Sequence, residues 1–195
     1  MPRTIAAAAT AALVLCTGCV QQPAPSPLPQ ATPTWSCTPV TGGTPYPCYE
    51  NQYQEAAAQN ALYESAEAVY NRFNAEDERI YRLGGVVQPT PILLETLTGE
   101  ALESVMTNYR DMRSDGTRLA EGHFVTAWIR RQPENVKAGS VATLWVCNDI
   151  SSIVVRQKDG TREQLGEDLR GHVYLAEGNG QLQITTFASE WVKSC

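Results

Sequence analysis

Between Tyr53 and Phe73 apolar side chains recur mostly at three- and four-residue steps, at Tyr53, Ala57, Ala61, Ala66, Val69, Tyr70 and Phe73. That period lays them along one face of an α-helix, and residues 51–74, rich in Ala, Glu and Gln and free of Pro and Gly, favour the same state. A second short helix is predicted over Asp77 to Leu83, stopped by Gly84-Gly85. Its start carries Glu76-Asp77-Glu78, an acidic patch expected to be solvated where the helix dipole favours carboxylates. Thr90-Pro91 opens one more turn of helix through Leu97, because Pro suits the first helical position. Thr98 caps a third full helix with a stripe of Leu102, Val105, Met106, Tyr109 and Met112, ended by Ser114-Asp115-Gly116.

From Thr117 the period changes to two. Leu119 to Arg131 reads as one long strand, with Phe124, Thr126 and Trp128 on one face and His123, Val125, Ala127 and Ile129 on the other. Pro133 to Gly139 is a turn, and Ser140 to Asn148 a second, nearly apolar strand. Lys158-Asp159-Gly160 joins Ser152–Gln157 to Thr161–Leu165 as a hairpin, and Gly178-Asn179-Gly180 joins His172–Glu177 to Gln181–Phe187. Trp191 to Cys195 ends at the sheet. Helices first and a mostly antiparallel sheet afterwards define an α+β fold, and residues 50–195 make one domain.

The pattern before residue 50 is different. Arg3 is followed by an apolar run from Ile5 to Leu15, then Thr17-Gly18-Cys19. A charged start, a short apolar stretch and small residues before a cleavage point form an export signal over residues 1–18. The run is well short of the ~20 residues a membrane-spanning helix needs. With Cys19 as the first residue after the cut, the segment resembles the signal of bacterial lipoproteins, although Cys16 stands where such signals usually carry Leu. The resemblance implies a diacylglyceryl group on Cys19 and an anchor at the extracytoplasmic face of the cell membrane. Residues 19–49 follow as a tether dominated by Pro, which blocks helix and favours extended polyproline II. Val20 to Ser36 could span roughly 50 Å at ~3.1 Å per residue.

Six cysteines stand in the chain. With Cys16 in the signal and Cys19 lipidated, Cys37, Cys48, Cys147 and Cys195 remain, and export makes disulfides the expected outcome. Four cysteines allow three pairings. Cys37 with Cys48 closes a small loop beside Trp35, expected to pack on the domain as a stapled cap. Cys147 with Cys195 ties the last residue to an apolar strand. In the chain-entropy account the two bridges contribute ~3 and ~4 kcal/mol. No zinc-ligand spacing occurs and the chain has two His, so neither metal nor cofactor is expected.

The order of elements resembles the cone-shaped fold of the nuclear transport factor 2-like superfamily, and more closely its exported lipoproteins in actinobacteria. Tyr70, Leu83, Thr98-Gly99-Glu100-Ala101-Leu102, Gly122, Val146-Cys147-Asn148-Asp149-Ile150-Ser151, Asp159-Gly160 and the terminal Cys195 carry this resemblance over about Gln52 to Cys195. A cystatin-like helix-on-sheet layout is the nearest competitor. The resemblance implies a pocket between helices and sheet, with Tyr70, Tyr109 and Trp128 as lining candidates. Enzymes of that superfamily, steroid isomerases and small dehydratases among them, use such a pocket.

Catalysis there would need a base in an apolar cavity facing a donor. Asp149 and His123 are the weak candidates, yet Asp149 reads first as a turn cap toward Ser151 and His123 as an ordinary strand residue. No phosphate loop, serine elbow or paired acidic motif appears. The net charge of −6 and pI near 5.0, with Lys and Arg scattered along the chain, give no footprint for nucleic acid or anionic headgroups. The expectation is therefore a non-catalytic, membrane-anchored lipoprotein that binds a small hydrophobic ligand or an envelope protein. An isomerase- or dehydratase-like enzyme, or an accessory of a conjugation, secretion or exclusion system, is the alternative.

Overall fold

One helix, α1, runs from Glu50 to Leu83 in the computed structural model, which describes residues 32–178 and 180–195. The signal, Cys19 and the first part of the tether lie outside the described residues. Two helices were expected where this one continues unbroken through Glu76-Asp77-Glu78. The acidic run interrupts nothing because its charges find partners both along the helix and beyond it. The Glu76 carboxylate is clasped by Arg79 Nε and Nη2, both at 2.7 Å, and accepts the Thr90 hydroxyl at 2.7 Å. Glu78 accepts from Arg82 and from the Phe124 backbone N–H at 2.9 Å. Gly84, in the left-handed region, then ends the helix.

The buried stripe of α1 is Tyr63, Ala66, Tyr70, Phe73, Glu76 and Ile80. Tyr53, Ala57 and Ala61, expected to face a core, are exposed. Tyr53 instead meets Trp35 at 4.7 Å between ring centroids, beside the hairpin of β1 (Trp35–Cys37) and β2 (Tyr46–Cys48). Cys37 and Cys48 are joined across that hairpin. Asn60 Nδ2 holds it to the helix by donating to the Thr38 carbonyl at 3.2 Å.

Two further helices follow, α2 (Pro91–Thr96) and α3 (Gly99–Asp115). Thr90 caps α2 by accepting from the Leu93 N–H at 3.3 Å. Leu119 to Arg131, expected as one strand, is split at Gly122 into β3 (Arg118–Glu121) and β4 (Val125–Arg131), which belong to different sheets. Gly122 has φ 86°, and a Cβ there would come within 3.0 Å of the Ile153 Cα and the Ser152 carbonyl. Only glycine makes that corner without strain.

The main sheet has the order β4–β5–β8–β9, with β5 Ala142–Asp149, β8 Asp168–Gly178 and β9 Gln181–Val192. A smaller sheet, β3–β6–β7, adds β6 (Val154–Arg156) and β7 (Arg162–Gln164). All strand pairs within the three sheets are antiparallel. The architecture of the described residues is therefore α+β, a long helix with three antiparallel sheets. Ala142, Leu144, Val146, Val173, Leu175 and Ile184 form a single core with the buried residues of α1, α2 and α3.

The opposite face of the main sheet holds the second disulfide, Cys147–Cys195. Cys195 N–H donates to Asp168 Oδ2 at 2.8 Å, while Asp168 Oδ1 accepts from the Ile150 and Ser151 N–H groups. One buried carboxylate thus ties the chain's last residue to the turn after β5. Among the described residues no helix is long and apolar enough to cross a membrane.

Candidate functional site

A cavity of about 340 Å³ lies between α1, α3 and the main sheet. Its origin is visible in the strand register. The cross-strand row Leu144, Val173, Phe187 is bulky, whereas the next row, Val146, Gly171, Ser189, is small. Interiors normally fill such space, so the small row leaves room under the helices. Tyr70, Phe73, Asp77 and Tyr81 reach it from one face of α1, as spacings of three and four require.

Two polar groups organise the walls. The Tyr70 hydroxyl donates to Asn148 Oδ1 at 3.0 Å and lies 2.7 Å from Asn148 Nδ2, and Thr126 Oγ1 donates to the same Oδ1 at 3.1 Å. Burial, partly offset by Asn148, pushes the Tyr70 phenol up to about 12. On the other side Asp77 Oδ1 accepts the Tyr109 hydroxyl at 2.6 Å. Asp77 Oδ2 has no hydrogen-bond partner among the described residues. Tyr81 packs edge-on to Tyr109 and Phe124, and its hydroxyl accepts from Asn108 Nδ2 at 2.6 Å, leaving its own proton free to donate.

Asp77 is the unusual group. Desolvation raises its carboxyl from 3.8 to about 7, against the lowering effect of the Tyr109 hydrogen bond. Burial beside Asp77 raises the Tyr109 phenol far above its ordinary value and moves Tyr81 up to about 12. Its neighbours behave oppositely. The Arg79 hydrogen bonds hold Glu76 low, and for Glu78 the push of burial is outweighed by Arg82, Phe124 N–H and His123. Three consecutive acidic residues therefore have three environments, and one of them lines a cavity with a free oxygen. Such a carboxyl can exchange a proton or accept a hydrogen bond from a bound molecule at neutral pH.

The residues singled out from sequence fall in different places. Tyr70 lines the cavity. Tyr109 is fully buried and acts on the cavity through Asp77. Trp128 is a correction: a bulge between Thr126 and Trp128 breaks the expected alternation and turns the indole to the sheet's opposite face. There it meets Trp145 edge-on at 4.9 Å, and its Nε1 donates to the Cys195 carbonyl at 3.2 Å.

Asp149 and His123 do not line this cavity. Asp149 Oδ1 accepts from the Ser151 N–H and hydroxyl, at 3.3 and 2.9 Å. The His123 side chain is 75 % exposed, with Nδ1 at 2.8 Å from Glu78. Asp77, which sequence reasoning took as a solvated charge, was detectable. It stands seven residues after Tyr70, four after Phe73 and four before Tyr81, in register with the aromatic stripe. Among the described residues no three His, Cys, Asp or Glu side chains gather as a metal site.

No family model matches the chain, and no curated protein matches it either. Among solved structures it is similar to a de novo designed β-sheet protein determined by solution NMR, at 12 % identity and a TM-score of 0.29. That match covers 62 % of this chain and 84 % of the designed one, and so slight a likeness carries no argument about fold or function.

Proposed function

We propose that this chain is a membrane-anchored extracytoplasmic lipoprotein whose nuclear transport factor 2-like domain binds a small, largely apolar molecule bearing one hydrogen-bond donor. The observation that carries the reading is Asp77, a residue of the cavity lining with one oxygen held by Tyr109 and the other without a hydrogen-bond partner among the described residues. About 340 Å³ is at the small end of the range for ligand sites, and a lining of apolar and aromatic side chains with a few polar groups such as Asp77 and Asn148 is their usual composition. The helices packed over one face of a four-stranded antiparallel sheet support the cone-shaped fold. The signal-like segment ending at Cys19 supports the anchor, and the two disulfides suit an oxidising compartment.

A suitable probe is 2-naphthol, an apolar bicycle with one hydroxyl, followed by its own fluorescence. Wild type binds it, and Asp77→Ala weakens binding by roughly tenfold, the worth of one hydrogen bond to a charged or poised group. Val146→Trp fills the cavity and abolishes binding. Equal affinity in all three proteins sinks the proposal.

A second reading rests on the same carboxyl. With a protonation midpoint near neutrality and the Tyr81 hydroxyl free to donate nearby, Asp77 suits a general base in proton-transfer chemistry of the isomerase or dehydratase kind. It takes the role that Asp149 and His123 were weak candidates for. Turnover of an enolisable ketone that follows a titration near pH 7 and disappears in Asp77→Asn would select this reading; no turnover leaves binding alone.

A further inference from the structure

We propose that the solvent face of the β3–β6–β7 sheet is a binding site for a multiply phosphorylated ligand. Arginines scattered along the sequence become a row there. Arg118 of β3 is directly opposite Arg156 of β6, and Arg156 is directly opposite Arg162 of β7. Directly opposed side chains project from the same face, and strands are ~4.8 Å apart, so three guanidinium groups are placed side by side across roughly 10 Å.

Two polar grooves, of about 470 and 320 Å³, share Arg118 and Arg156. Arg82, Arg162 and the carboxylate of Glu121 also line the first, Arg113 and Lys158 the second. This concentration of six cations occurs in a chain of net charge −6.

Structural needs account for some of these charges and not for others. Arg82 and Arg113 stand in the last turns of α1 and α3, where the helix dipole favours a cation. Arg82 is also paired with Glu78, and Arg162 with Glu121. Arg118 and Arg156 have no carboxylate within ion-pair distance among the described residues. Asp159, at the adjacent hairpin, is occupied by the Thr161 N–H at 2.8 Å.

Like charges directly opposite each other destabilise a strand pair, so the fold gains nothing from Arg118 facing Arg156. A row of planar forks suits bidentate contacts to phosphoryl oxygens, and a ligand with several such groups meets the whole row at once. The phosphoryl groups could come from a soluble oligophosphate or from lipid headgroups. The grooves present the same chemistry to both.

The test titrates the full chain with inorganic tripolyphosphate by calorimetry at low salt, beside the double variant Arg118→Gln/Arg156→Gln. Wild type binds with a micromolar Kd, and the variant binds roughly 30-fold more weakly through loss of two charge-assisted contacts. Without ligand the variant melts at or above the wild-type temperature, since its like-charge contact is gone, which separates lost binding from lost folding. Co-sedimentation with phosphatidylglycerol vesicles runs in parallel. Vesicle binding lost in the same variant assigns the site to headgroups; tripolyphosphate binding without vesicle binding assigns it to a soluble ligand. No binding of either, or equal binding by wild type and variant, overturns the proposal.

Discussion

Replacing Asp77 by Asn should make the protein more stable above neutral pH while removing the one carboxyl group that lines the cavity among the described residues. The carboxyl is raised from 3.8 to about 7 in the folded chain by desolvation. Between those values the folded state keeps a proton that the unfolded state has released. Stability therefore falls as pH rises through this window and levels off above it. At ~1.4 kcal/mol per unit the full shift corresponds to about 4 kcal/mol, of which the part between pH 5 and the midpoint near 7 comes to about 2 once the partial solvent contact of Asp77 is discounted. Glu76 and Glu78, whose folded values are lowered, act in the opposite sense and only at more acid pH. Tyr70 and Tyr81 titrate near 12.

Urea titrations at pH 5 and pH 8 isolate the effect. Wild type should lose about 2 kcal/mol between the two. Asp77→Asn keeps an oxygen for the Tyr109 hydroxyl, so it should match wild type at pH 5 within about 1 kcal/mol and exceed it by about 2 at pH 8. A wild-type stability that is flat over this range, or a variant that keeps the slope, would mean that the Asp77 carboxyl is not raised by burial.

Asp168→Ala strips the acceptor from the Ile150, Ser151 and Cys195 N–H groups and should cost about 3 kcal/mol in the same urea titration. Gly85→Ala should be worse, because φ is 82° and the new Cβ would sit 2.0 Å from the Tyr109 carbonyl oxygen. We expect a loss of at least about 3 kcal/mol, or no soluble protein, on expression and thermal melting. Cys19→Ala should move the chain from the membrane pellet to the soluble fraction, and continued sedimentation with membranes contradicts lipidation.

Local chemistry made much of this fold legible. Lys158-Asp159-Gly160 announced β6 and β7, Thr90-Pro91 announced α2, and Gly116 ended α3 as expected. What stayed hidden depends on distant partners. Glu76-Asp77-Glu78 looked like a solvated helix start because nothing local says that Thr90 and Phe124 N–H will satisfy Glu76 and Glu78, or that Tyr109 will reach Asp77. The break at Gly122 follows from the approach of Ile153, thirty-one positions on. Trp128 lies on the face opposite to the expected one because the bulge between Thr126 and Trp128 shifts the side chains that follow it in β4. The arginine row unites β3, β6 and β7, so charge counted along the chain as scattered becomes a patch only when the strands pair.

The proposed function stands or falls with Asp77 as a poised carboxyl group open to a ligand. A carbon-13 NMR titration of the Asp77 side-chain carboxyl, with and without 2-naphthol, reads that group directly. A midpoint near pH 7 is expected in the free protein, with a clear displacement when the probe is added. A midpoint near 4, unchanged by the probe, would contradict it.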